Sequence, residues 1–554
     1  MIGVAAKTGD LPWVTEFFEL FKTPWEPLVR GKRYDVVLST GDDADTFDAA
    51  LALVYGAREL PIDRRSRAVI GTIEGPVDIQ WEAESFPIYT CAVSFSGPVS
   101  PGALLAGTAA IDYRHTSGAT TLYRIGYGLF EEVAHLLTRG QPPSYSQTPT
   151  LELHIELIRR CLRESGVSYV EIPARPHQSA FICCLTHDID FYGIRGHAID
   201  RTVVGFAIRG TFGTLVDLLR GRRRLDEALR NWLAVLSLPF VWLGLASDFW
   251  GPFGDYARAE QGRHSTFFVI PFKGQAGANP DGATRARRAA PYAIQDIRND
   301  IEAFCKPGTE FAVHGIDAWR DADAGRSELQ ELTRVTGQQT CGIRMHWLYF
   351  SDRSPQQLED AGYEYDSTWG YNDAVGYRAG TSQVFRLQGT EHLLELPLTI
   401  MDSALFYPDR MNLDQETGMA RCQTIVERAR RFGGALVINW HDRSLAPERQ
   451  WRRCHEDLLS KMQEGVWFAT AGEAVEWFRW RRTIRFSVEE GTSRVLIEAP
   501  TLRPRLPAAC VTVHRAVPGK VEVDESSFSG GVQSVCSDTL PANQLSLSSK
   551  PTRL

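Results

Sequence analysis

Several things are scarce in this chain, and each scarcity excludes something. The longest apolar run, NWLAVLSLPFVWLGLA from Asn231 to Ala246, contains a proline and is shorter than the ~20 residues a membrane span needs. It reads as a helix pair packed on a core or as an interfacial patch, and a spanning helix is disfavoured. Positive charge is not in excess: 60 Lys and Arg stand against 68 Asp and Glu, a formal net charge of −8, so there is no general pull toward nucleic acid. The ten cysteines follow no metal-ligand rhythm. The N-terminal MIGVAAKTGDLPWVTEFF lacks the basic and apolar regions of a secretory signal. Free thiols in a reducing, cytoplasmic setting are therefore expected, with Cys183 and Cys184 as candidates for buried small hydrophobes. No internal repeat is visible, which sets repeat architectures aside.

What is present is a globular composition, 43% hydrophobic and 23% charged over 554 residues, long enough for two to four domains. Residues 1–175 read as an α/β unit. It contains the strand YDVVLST, which enters the turn GDDAD, and the amphipathic helix TPTLELHIELIRRCLRESG. The proline-punctuated EIPARPHQSA reads as a linker. From residue 180 to about 480 the short apolar strands FICCLT, STFFVIP, TEFAVH, CGIRMHWL, LLELPL, ALVINWH and VWFAT alternate with helical stretches. One of those helices is IQDIRNDIEAF, with Ile294, Ile297, Ile301 and Phe304 at helical spacing. Such alternation argues for a parallel, helix-covered sheet, open or closed into a barrel. Residues 482–554 read as a small antiparallel β unit with a Ser-rich, frayed end. RGRRRLDEALR, with four arginines in five positions, reads as a solvated helix face, or alternatively as a contact for anionic lipid or polysaccharide.

The polar residues fall in a pattern. Asp188 and Asp190 follow ICCLT, His314 ends EFAV, Arg344 and His346 end CGI, and His441 ends LVINW. Each lies at the C-terminal end of an apolar strand, the face on which barrels and wound sheets build active sites. Asp188 and Asp190 point to the same side of an extended backbone, and two close carboxylates call for a cation or a shared proton. Asp with His suits a divalent cation, zinc being favoured by imidazole. His314 and Asp317 are three apart and face one site if a helix begins there. The cation would hold one of the two carboxylates and leave the other as base, kept ionised by Arg344, while His441 protonates a leaving group. Together these make metal-assisted hydrolysis. Singly, each has a plainer reading: the aspartates as caps, His314 as a core histidine, Arg344 as a structural ion pair, and His441 with Asp442 and Arg443 as a surface network.

In this order along residues 180–478 the motifs resemble the polysaccharide deacetylase superfamily, the NodB homology domain of carbohydrate esterases. The resemblance implies a distorted (β/α) barrel; AGYEYDSTWGYNDAVGYRAGT within it resembles a stretch found in a divergent bacterial subgroup with a large N-terminal extension, which would correspond here to residues 1–175. THDID implies Asp188 as catalytic base and Asp190 as metal ligand, GTEFAVHGIDAW implies His314 as a ligand, GIRMHWL implies that Arg344 orients the base, and VINWH implies His441 as acid. The sequence departs from the family where a second histidine would stand, at Ala318. Asp317 is the first choice for third ligand, His346 the second, and two protein ligands the remaining option. The arginine motif lacks the usual Pro and Gly. Asp402 is the expected orienting carboxylate for His441, with Asp366 as alternative, and Trp440, Trp347 and Trp369 are candidate pocket walls. The implied activity is deacetylation of an N-acetylated saccharide or glycoconjugate, dependent on a divalent metal, Zn2+ by preference. The alternatives are hydrolysis of another small amide or a sugar O-acetyl ester, or a non-catalytic carbohydrate-binding role. The expected partners are the saccharide and, as an option, a peripheral membrane or glycan-synthesis partner, with no nucleic acid.

Overall fold

The computed structural model describes residues 1–40, 49–97, 102–117, 120–197, 201–221, 223–246, 248–283, 285–338, 341–447, 449, 451–488, 494–517 and 520–536. The turn expected at 41–45, Arg222 and the Ser-rich end lie outside them. The chain divides into two compact units, Met1–Gly140 with Thr148–Gln178 and Trp477–Leu554, and Gln141–Gln147 with Ser179–Glu476.

The second unit carries the strand-end residues. Its ten-stranded sheet is built from β1 (Phe181–Ile189), β2 (Ser265–Val269), β3 (Thr309–Gly315), β4 (Gly342–Met345), β5 (Tyr365–Asp366), β6 (Phe385–Arg386), β7 (Leu394–Glu395), β8 (Leu398–Met401), β9 (Ala435–Asn439) and β10 (Val466–Phe468). The order is β6-β7-β5-β4-β3-β2-β1-β9-β8, with β10 also on β1. Every ladder is parallel except β6 with β7. All seven apolar runs read as strands from the sequence form strands, LLELPL being divided into β7 and β8 around Pro397. β1 is buried at all nine positions, which is why it reads as a continuous apolar run and does not alternate. Among the described residues no ladder joins β6 to β8, so the unit is mixed α/β with an open, mostly parallel sheet.

Register sets the site. Thr186 lies opposite Asn439 across β1 and β9, and His314 opposite Arg344 across β3 and β4. Past the strand ends, Trp440 N donates to Thr186 O (3.0 Å) and Asp442 N to Asp188 O (3.1 Å), which prolongs the β1–β9 alignment to His441. IQDIRNDIEAF is helical as a short 3-10 turn, Ile294–Ile297, followed by Arg298–Phe304. NWLAVLSLPFVWLGLA does not form a helix pair. One helix, Leu225–Trp242, runs through Pro239, because a proline in the last turn removes only one late backbone hydrogen bond.

In the first unit the strand Tyr34–Ser39 sits inside a six-stranded sheet that is parallel except for the pair Asp112–Ser117 and Thr120–Ile125. The expected amphipathic helix spans Thr150–Glu164. The antiparallel C-terminal strands are present, and one of them, Ala509–Val517, pairs with Tyr169–Glu171. All ten cysteines are free, Cys183 and Cys184 being buried.

Candidate metal centre and acid–base residues

Alternation along β1 puts Thr186 and Asp188 on one face and His187 on the other, with Asp190 just past the end. Asp188 is buried and receives two donors: Arg344 Nη1 to Oδ1 at 2.8 Å and Asn439 Nδ2 to Oδ2 at 2.8 Å. Arg344 is itself fully buried; it donates to Thr186 Oγ1, Ser367 O and Ser367 Oγ at 3.0 Å each and lies over the Phe268 ring at 4.2 Å. Burial pushes the Asp188 carboxyl up, but the guanidinium, with His314 and His441 beside it, holds it below the usual carboxylate range.

Asp190 has different neighbours. Its Oδ1 lies 3.3 Å from His314 Nε2 and 3.4 Å from His346 Nε2, and this buried oxygen accepts no hydrogen bond. Ligand atoms of the three residues all fall within 4.8 Å of one another. His314 Nδ1 donates to Arg344 O at 3.0 Å, which fixes the ring orientation and turns Nε2 toward the carboxylate. Burial pushes the His346 imidazole down to about 3, so it is neutral near pH 7. Burial raises Asp190, but the surrounding imidazoles, His441 among them, hold it well below its ordinary value. Two imidazole nitrogens and a carboxylate oxygen converging in this way form a competent donor set for a divalent cation such as zinc.

Asp317, the first choice for third ligand, is not in this cluster. The expected helix does not begin there: it starts at Ala322, capped by Asp321. Asp317 Oδ1 instead accepts from Ala278 N (3.0 Å) and Arg320 Nε (3.1 Å). His346 takes the position because the chain turns sharply after β4, with Trp347 and Leu348 both left-handed (φ 67° and 54°) although neither is glycine. The buried Arg288 holds this turn to the one after β3, donating through Nη2 to His346 O (3.1 Å) and Ile316 O (2.7 Å). Glu328 Oε1 accepts from Ile316 N and Asp317 N, and burial raises its carboxyl to about 7.

His441 faces the pair from β9. Its Nδ1 lies 2.5 Å from Asp402 Oδ1, and Asp402 also accepts from His441 N (2.8 Å) and the Ser444 hydroxyl. Burial pushes the imidazole down, yet Asp402, with Asp190 and Asp188, raises it well above its usual value, which favours its protonated form. Asp366, the alternative orienting group, is instead buried with Thr368 and Glu395. Asp442 is buried and accepts from Phe191 N (3.2 Å), so the neighbourhood of His441 is not a surface network. Trp440 and Trp369 are buried packing residues, and only Trp347 borders the cluster, 5.8 Å from the His346 ring.

Four contributors escaped the sequence reading: Asn439, Thr186, Ser367 and Arg288. For Asn439 a signal existed, since it stands two residues before His441 and alternation puts both on one side. The others are set by contacts between distant segments.

No family model and no curated protein matches the chain. Among solved structures it is similar to a Mycobacterium smegmatis protein designated a polysaccharide deacetylase (18% identity, 56% of this chain and 95% of that one, TM-score 0.33). It is also similar to Puue allantoinase (15%, 55% and 92%, TM-score 0.33) and to a Pseudomonas aeruginosa PAO1 protein designated a polysaccharide deacetylase (15%, 56% and 94%, TM-score 0.33). The functional reading rests on the side-chain geometry.

Proposed function

We propose that residues 179–476 are a metal-dependent hydrolase that removes an acetyl group from an N-acetylated saccharide or glycoconjugate. The observation that carries this reading is the division of labour between neighbouring carboxylates. Asp190 meets two imidazoles, whereas Asp188 meets Arg344 and Asn439. Asp190, His314 and His346 would hold the cation, zinc by preference. Bound there, it would supply Lewis acidity toward a carbonyl oxygen and an attacking water.

The remaining work falls to the chain. Asp188, ionised and fixed at both oxygens, accepts the proton of the attacking water. Arg344 keeps it charged and aimed. His441, held at Nδ1 by Asp402 and raised well above its usual pKa, has Nε2 left to donate to the departing nitrogen. Product analysis on N-acetyl and O-acetyl substrates, paired with metal content, tests the assignment. Acetate released from the N-acetyl substrate by the metal-loaded wild type and not by Asp188→Asn supports it; unchanged turnover in Asp188→Asn overturns the role of the base.

A further inference from the structure

Between β1 and β2 the chain leaves the sheet as a helical hairpin. The first arm comprises Arg201–Ile208, a π-helical turn at Arg209–Gly213 and Thr214–Leu219; the second is Leu225–Trp242. Its root packs on the unit, with Val203, Phe206, Leu238 and Val241 against Ile194 and Trp250. Beyond the root the arms hold each other. Asn231 Nδ2 donates to Thr214 Oγ1 at 2.8 Å, and Gly210 lets Val235 approach so closely that a Cβ there would meet it at 2.6 Å.

The outward surface is apolar. Of the eighteen exposed large hydrophobic side chains among the described residues, thirteen lie between Val204 and Leu245. On the first arm Val204, Ile208, Phe212, Leu215 and Leu219 recur at spacings of four and three, with Phe212 at 72% exposure. On the second, Leu225, Leu229, Leu233, Leu236 and Phe240 do the same, with Leu236 at 68%. At 100° per residue, each stripe lies on the far side of its helix from Gly210, Thr214, Asn231 and Val235, where the arms touch. A protein partner seated on one side would leave the other stripe wet, whereas a lipid phase covers both. Thr202–Leu219 is the one helix among the described residues with the length and composition of a membrane segment, and only 22% of it is buried.

Charge points the same way. Residues 201–245 hold seven arginines and three acidic residues, a local net charge of +4 in a chain of −8, and no lysine. Exposed pairs such as Arg224 with Asp226 (3.1 Å) and Arg230 with Asp226 (2.8 Å) are weak and easily exchanged for phosphate. Arginines at the turn beside an apolar helix are the combination that seats a protein in the headgroup region of an anionic bilayer. We propose that this hairpin docks the protein on an anionic lipid surface. The proposal stands apart from the hydrolase reading, since it uses none of the site residues.

Co-sedimentation of the full chain with phosphatidylcholine vesicles, with and without phosphatidylglycerol, tests it. The wild type is expected to bind the anionic vesicles. Affinity should fall about tenfold or more in the combined variant Phe212→Ser, Leu219→Ser, Leu233→Ser and Leu236→Ser. It should fall less in Arg220→Gln with Arg224→Gln, and also with added salt. All these positions are exposed, and an unchanged melting temperature verifies that the fold is kept. Equal sedimentation of the wild type and the serine variant overturns the proposal. So does a wild type that stays in the supernatant as a dimer which the serine variant converts to monomer, since the stripes would then belong to a second copy.

Discussion

Strand β1 separates two clusters of the same composition, one carboxylate with two imidazoles. On one face Asp190 meets His314 and His346 at 3.3 and 3.4 Å. On the other Glu260 meets His187 and His455 at 3.0 and 3.1 Å. The second cluster is closed: its side chains are 1% exposed, Glu260 accepts the Ser265 hydroxyl, His187 Nδ1 donates to Trp440 O (2.9 Å), and the His187 ring stacks on Tyr256 at 3.6 Å. The first is more open, with the Asp190 side chain 21% exposed. Residue types alone do not make a metal site. Solvent access is what distinguishes the two clusters.

The strongest way to break this contrast is to remove ligands on each side. Asp190→Ala or His314→Ala should abolish the roughly one equivalent of divalent metal expected by elemental analysis, and turnover with it, by about a thousandfold or more. His187→Ala should keep the metal; if it lost the ion as completely as His314→Ala, the distinction between the faces would fail. Next in size, Asp188→Asn should retain metal while single-turnover rates fall about 10²–10⁴-fold, the range for a lost general base.

The third pair of variants sharpens the ligand set. Metal titration should show His346→Ala weakened by about a hundredfold and Asp317→Asn by less than about tenfold, because Asp317 acts only through the Ala278 backbone and Arg320. A separate effect lies on the closed face and appears in stability, not in metal binding. Burial pushes Glu260 up, but His187 and His455 hold it down at about 2 against an ordinary 4.5. Such a depressed carboxyl stabilises the fold above the unfolded value, and that stability is lost as pH falls from about 4.5 toward 2. Glu260→Ala should therefore cost about 3–5 kcal/mol at neutral pH, as breaking a buried pair does. It should also flatten the acid limb of a melting-temperature profile between those pH values.

Much of the site was legible. Asp188, Asp190, His314, Arg344 and His441 all sit where an apolar run ends, and a run that ends in charge is a local signal needing no partner. Asp402 was legible for the same reason, following β8 directly. Asp317 misled because i, i+3 spacing brings side chains together only inside a helix, and the helix starts five residues later. His346 was harder to rank: its placement depends on two left-handed residues with no glycine to announce them, held by Arg288 from a distant segment. The hairpin was half legible, since its apolar and basic character could be read but not that it stays exposed.

The sequence by itself determined which side chains stand at the strand ends and, through alternation, that Asp188 and His187 face apart. These are properties of covalent geometry and hydrophobic period. Only the tertiary structure decided that Asp190 takes His346 and not Asp317, that Asn439 and Arg344 claim Asp188, and that His187 is locked with Glu260. Those choices depend on strand register and on which buried polar atoms find donors, and both are settled between segments that lie far apart in the chain.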